Sequence, residues 1–133
     1  MSSKKTAIAI IIPTFNEAET IFRLVTTLLA APFVQRIVIV DDSLDDRTIT
    51  PLKSLQNNPR LTIIHRQKKG GRGSAVMDGM RALASDNTID YVIEMDADFS
   101  HQPQEIPALV DKIIATKAGL VVASRYLPGS RIL

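Results

Sequence analysis

Five short apolar runs, rich in β-branched residues, recur along the chain, and each gives way abruptly to polar residues. They are TAIAIII (6–12), RIVIVDD (36–42), RLTIIH (60–65), DYVIEMD (90–96) and LVVAS (120–124). They are continuously apolar rather than alternating, which is the pattern of strands covered on both faces. Helical spacing fills the gaps. Ile21, Leu24, Val25, Leu28 and Leu29 form one stripe, and Ile106, Leu109, Val110, Ile113 and Ile114 form another. Strands that alternate with helices throughout predict an α/β fold, a mostly parallel sheet with helices on both faces.

Local signals set the expected boundaries. Pro13 should end the first strand, and Asn16 can cap the following helix with Glu19 as its capping-box partner. Pro32 closes that helix. A weaker helix is expected over 48–56, where Pro51 is tolerable only near the first turn. The basic, glycine-rich loop RQKKGGRGS (66–74) leads into a helix over about 74–85, with Val76, Met80 and Leu83 on its inner side. Pro103 starts the last helix and Gly119 ends it. No linker interrupts the pattern, so residues 1–133 read as one domain.

Composition removes several function classes. The chain has no cysteine, hence no disulfide framework and no thiolate chemistry, and a reducing, cytoplasmic location is the expectation. A net charge of +2 is too small to indicate nucleic-acid binding. The longest unbroken apolar run, residues 7–12, is far shorter than the ~20 residues of a membrane span.

In open parallel sheets the ligand lies outside the carboxyl ends of the strands. Polar clusters follow the strands here: PTFNE (13–17), DDSLDD (41–46), HRQKKGGRG (65–73), DADFSHQ (96–102) and SRY (124–126). Asp96 and Asp98, two apart on an extended chain, point the same way. Two carboxylates that close ionise together at low cost only around a cation. A hard ion with oxygen ligands, Mg²⁺ or Mn²⁺, suits them, and such sites leave their remaining positions to water and substrate phosphates. Lys68, Lys69 and Arg72 lie among Gly70, Gly71 and Gly73, where backbone approaches a phosphate closely. Each cluster alone also has a structural explanation as a turn, cap or solvated loop. The combined signal is their convergence on one edge of the sheet.

These motifs also resemble a known family. IIPTFNEAETI resembles the IPTYNE opening of family 2 glycosyltransferases, VIVDDSLDDRT their VVDDSSxDxT, and GGRGSAVMDG their GLGxAxxxG. VIEMDADFSHQP resembles VxxMDADLSHxP, and ASRYLPGS resembles SRYxxGG, the pattern of dolichol-phosphate and polyprenyl-phosphate sugar transferases. The resemblance runs from about residue 10 to residue 130 and implies the Rossmann-like nucleotide-binding half of a GT-A fold, without the acceptor-binding half. It implies metal-assisted, inverting transfer of a hexose, mannose or glucose, from a GDP- or UDP-linked donor to a polyprenyl or dolichyl phosphate. Pro13, Thr14, Phe15, Asn16 and Glu17 would line the nucleoside pocket, and Asp41 or Asp42 would hydrogen-bond the base or ribose. Lys69 and Gly73 would contact the donor. Asp96 and Asp98 would hold the metal on the diphosphate, with Ser100 or water completing the site. Ser124, Arg125 and Tyr126 would lie near the sugar or acceptor phosphate, so Asp98 and Arg125 are the expected catalytic residues. A lipid acceptor implies association with the cytoplasmic face of a membrane, through a missing region or a partner.

The chain departs from the family pattern at Phe15, Leu44, Arg47 and Arg72. Other readings are transfer to a saccharide hydroxyl, an inactive nucleotide-binding fragment, and a receiver-type signalling domain suggested by RIVIVDDS. The receiver reading needs that strand to open the domain, and here a strand and a helix precede it.

Overall fold

A computed structural model of the chain describes residues 5–68 and 70–130. The four strands among them are β1 (Ile8–Thr14), β2 (Val34–Asp41), β3 (Leu61–His65) and β4 (Tyr91–Glu94). They form one sheet in the order β3-β2-β1-β4, with every pair parallel. The helices are α1 (Ile21–Ala30), α2 (Arg72–Leu83) and α3 (Ile106–Thr116), with 3₁₀ turns at Thr50–Leu55 and Pro103–Glu105.

The sheet divides the core. Ile8, Ile10 and Ile12 of β1 face α1, Leu52 and the α3 residues Ile106 and Val110. Ala9 and Ile11 face the other way, onto Ala75 and Leu83 of α2. Helices therefore cover both faces, as the continuous apolar strands require. From β3 the chain returns to pair β4 on the far side of β1. The β1/β4 junction is thus the topological switch point, where open α/β sheets place ligands.

Several boundaries differ from expectation. Pro13 lies inside β1 because β4 has ceased pairing at Ile11, so the missing N–H removes no ladder bond on that side. Asn16 does not cap a helix. It adopts a left-handed φ of 56°, and α1 begins at Ile21 after Thr20, with no side-chain cap. LVVAS forms no strand: Leu120 and Val122 are exposed and the run pairs with no other described strand. Ile114, expected inward, is also exposed.

The inner stripe of α2 is Ala75, Gly79 and Leu83, whereas Met80 is exposed. Small residues let this helix lie close to the sheet. A Cβ at Gly79 would fall 2.6 Å from Cγ2 of the fully buried Ile11. Gly79→Ala is therefore diagnostic. Helix propensity alone predicts a gain of about 1 kcal/mol, while overpacking against Ile11 predicts a net loss of about 1–2 kcal/mol. Chemical denaturation of the two proteins reads the sign directly.

Candidate functional site

The loops after β1, β2 and β4 converge with the start of α2 on a cleft of about 320 Å³. Pro13, Thr14, Phe15 and Glu17 line one side, Asp42, Gly71, Arg72 and Ala75 another, and Asp96, Ala97 and Asp98 a third.

The first wall is fixed by β2. Thr14 Oγ1 donates to Asp41 Oδ1 at 2.8 Å, and Ser43 Oγ donates to the same oxygen at 2.7 Å. Ser43 Oγ accepts the Asn16 N–H at 2.8 Å, and Thr48 Oγ1 accepts the Glu17 N–H at 3.0 Å. With its proton given to Asp41, Ser43 must accept from Thr48 Oγ1, 3.1 Å away. Asp41 is 0% exposed and does not line the cleft. Of the two neighbouring acids, Asp42 therefore faces the ligand space, while Asp41, Ser43 and Thr48 tether the 13–17 loop.

Asp42 is gripped by Arg66, which donates Nε to Oδ1 at 2.5 Å and Nη2 to Oδ2 at 2.6 Å. The Gly70 N–H adds a bond to Oδ2 at 2.9 Å. Hydrogen bonding from Arg66 holds the Asp42 carboxyl below the usual range despite burial. Arg66 also reaches Ser74 Oγ and Asp78 of α2. Sequence reasoning missed this arginine. Its signal is positional: Asp42 and Arg66 each follow the end of adjacent parallel strands.

The third wall explains the DADFSHQ segment. Met95 and Ala97 are buried, 2% exposed each, so Asp96 and Asp98 between and after them turn to the cleft. Asp98 Oδ1 accepts the Ser100 hydroxyl at 2.6 Å and its N–H at 3.0 Å. These bonds, the hydroxyl first, hold the Asp98 carboxyl low and ionised. The Asp96 N–H donates to His101 Nδ1 at 3.0 Å, which puts the proton of neutral His101 on Nε2. Phe99 takes a φ of 62° at the turn, and the Arg23 guanidinium stacks 4.3 Å from its ring centre, tying the loop to α1.

Glu17 feels both aspartates. Burial pushes its carboxyl up, and the charges of Asp98 and then Asp96 push it further. The two aspartates thus share one negative patch, countered at Asp96 by Arg72, and form a donor set that fits a hard divalent cation. No group of three His, Cys, Asp or Glu side chains among the described residues is arranged to hold a metal alone. Two carboxylates, with phosphate oxygens and water filling the other positions, is the usual Mg²⁺ or Mn²⁺ arrangement.

The remaining expected residues lie elsewhere. Asn16 borders a neighbouring depression with Glu17, Glu19, Arg47 and Asp98. Gly73 is exposed in the first turn of α2. Ser124 is half-buried, Arg125 and Tyr126 are exposed, and all three are away from the cleft lining. Lys69 lies outside the described residues. No helix among the described residues is long and apolar enough to cross a membrane.

Comparison with known proteins identifies the family and the fold. The model of glycosyl transferase family 2 matches residues 9–132. An undecaprenyl-phosphate mannosyltransferase of Micrococcus luteus is 34% identical over 92% of this chain and 50% of its own length. A dolichol-phosphate mannosyltransferase of Pyrococcus furiosus is 32% identical over 94% of this chain and 35% of its own length. A polyprenol monophosphomannose synthase of Mycolicibacterium smegmatis is 35% identical over 92% and 46%. The chain thus spans half or less of the length of these relatives. Among solved structures, glucosyl-3-phosphoglycerate synthase from Mycobacterium tuberculosis, in complex with Mn²⁺, UDP and glucosyl-3-phosphoglycerate, superposes with a TM-score of 0.61. That match covers 81% of this chain and 39% of the other at 22% identity, which establishes the shared GT-A fold.

Proposed function

The chain belongs to glycosyl transferase family 2, and from that premise we propose that it binds a nucleoside-diphosphate hexose for metal-assisted, inverting transfer to a polyprenyl or dolichyl phosphate. One observation carries the reading. Asp96 and Asp98 turn into the same cleft as Pro13, Thr14, Phe15, Glu17 and Asp42, at the switch point of the sheet. The mannosyltransferase names of the relatives supply the sugar and acceptor class.

In this reading Asp42 accepts a hydrogen bond from the base or ribose, and Arg66 beneath it keeps it ionised and fixed in direction. Pro13, Thr14 and Phe15 enclose the nucleoside. Asp96 and Asp98 hold Mg²⁺ or Mn²⁺ against the diphosphate. When bound, the cation offsets the charge that develops on the departing nucleoside diphosphate. A lipid phosphate is already an anionic nucleophile, so no side chain has to remove a proton from it. Arg125 is assigned to the acceptor phosphate by its SRY motif alone. Contact with the membrane surface on its cytoplasmic side is assigned to a partner or a further protein segment.

The test is a thermal-shift panel of UDP, GDP and their hexose conjugates, with Mn²⁺ and with chelator. Binding at a hundredfold over Kd adds about 2.7 kcal/mol of apparent stability, so one nucleotide should raise Tm by several degrees, with metal only. Labelled hexose from that donor, given to the full-length protein and a polyprenyl phosphate, should enter the organic phase. A panel with no metal-dependent shift overturns the donor reading. Label found only on a free saccharide overturns the lipid acceptor.

A further inference from the structure

α2 opens with Arg72, immediately after Gly71, whose φ of 85° turns the chain into the helix. A cation in the first turn opposes the helix dipole, so helix stability does not explain it. Its contacts do. Nε and Nη2 donate to Glu94 Oε1 at 2.8 and 2.6 Å, and Nη1 pairs with Asp96 Oδ1. Among the described residues Arg72 is the only cationic side chain lining the cleft, which carries four carboxylates: Glu17, Asp42, Asp96 and Asp98. Asp42 already has Arg66, and Asp98 has the Ser100 donors. Arg72 is the cation that pairs with Asp96.

We propose that Arg72 is an exchangeable counter-ion, which yields Asp96 to the divalent cation and turns its freed N–H groups onto the donor diphosphate. The proposal rests on the donor reading above. A guanidinium on Asp96 Oδ1 and a divalent ion on the same carboxylate repel each other, so each weakens the other's hold on Asp96. Nε and Nη2 both rest on the single oxygen Glu94 Oε1, so the rigid guanidinium of this half-exposed side chain can pivot as one plane about that contact and swing Nη1 off Asp96. Planar N–H pairs match phosphate oxygens in the same way that they match carboxylates. The device delays tight cation binding until a diphosphate is present to receive the displaced charge.

The two binding steps should therefore shift in opposite directions in Arg72→Met. Titration of Mn²⁺ alone, followed by the paramagnetic resonance of the free ion, should show about tenfold tighter binding than in the full wild-type protein. Titration of UDP and GDP at saturating Mn²⁺ should show about tenfold weaker binding of the preferred nucleotide. Arg72→Lys, which keeps the charge but lacks the planar N–H pair, should leave the Mn²⁺ affinity near the wild-type value and still weaken nucleotide binding. It therefore tests the exchange should the methionine variant fail to fold, and unchanged nucleotide affinity in it overturns the diphosphate contact. Unchanged or weaker Mn²⁺ binding in Arg72→Met, with wild type binding metal and nucleotide normally, overturns the exchange and leaves the donor reading standing. Wild type that binds neither overturns both.

Discussion

Asp98→Asn is expected to remove the metal dependence of nucleotide binding while leaving the fold intact. The amide oxygen of asparagine still accepts the Ser100 hydroxyl and N–H that shape the loop, so Tm without ligand should stay close to wild type. What disappears is a carboxylate that those bonds hold ionised and that faces the cleft beside Asp96 and Glu17. A cation site reduced to one protein carboxylate should lose about a hundredfold in nucleotide affinity at fixed Mn²⁺, roughly 2.7 kcal/mol. Calorimetry with Mn²⁺ and with chelator should then give nearly the same weak affinity for the variant, against a wide gap for wild type. If wild type itself binds equally with and without chelator, Asp96 and Asp98 do not hold a cation and their convergence needs another cause. Glu17 supplies a cross-check: losing the Asp98 charge should let its carboxyl fall toward the ordinary value, because Asp98 is the larger of the two charges that raise it.

The parts of this architecture that the sequence exposed are those governed by local rules. Continuous apolar runs gave four strands, and the acids that follow them fell on the rim because a parallel sheet brings all its carboxyl ends to one edge. Asp96 and Asp98 were readable for that reason, with the inward Met95 and Ala97 completing the alternation. What stayed hidden depended on partners far along the chain. Arg66 and Arg72 each find an aspartate 24 positions away, and one looked like part of a solvated basic loop. Ser43 and Thr48 fasten the 13–17 loop through side-chain bonds that no periodicity records. On α2 Leu83 lies inward as its size and spacing predict, but Met80 does not. Close packing on Ile11 selects Ala75 and Gly79 instead. LVVAS failed as a strand because hydrophobicity favours extension but only a neighbouring ladder makes a strand, and none of the other described strands pairs with it.

Arg66→Met, behind the cleft wall, should cost about 3 kcal/mol at neutral pH, as removal of one partner from a buried ion pair does. Arg66 and Asp42 side chains are only 8% and 6% exposed, so methionine leaves Asp42 enclosed with a charge that only the backbone N–H groups of Gly70 and Gly71 support. Asp78 is a third exposed and keeps Arg81, so it contributes little to the loss. The pH dependence identifies the cause. In wild type the Asp42 carboxyl is depressed, so the pair stabilises the fold at pH above the unfolded aspartate value of about 3.9 and is lost as pH falls through the folded value. In the variant, burial without Arg66 raises that carboxyl, so protonating it relieves the penalty. The gap between the two proteins in chemical denaturation should thus narrow from pH 7 to pH 4. Asp42→Asn in the Arg66→Met background should recover part of the loss, since it removes the stranded charge. A gap that is small and flat across that range would mean that water screens the pair, and Arg66 would then have no part in keeping Asp42 charged for a nucleoside. Because Asp42 lines the cleft while Arg66 does not, the same pair that stabilises the β2 and β3 ends also orients the group proposed to read the base or ribose. Stability and nucleotide affinity should therefore fall together here, in contrast to Asp98→Asn, where affinity alone should fall.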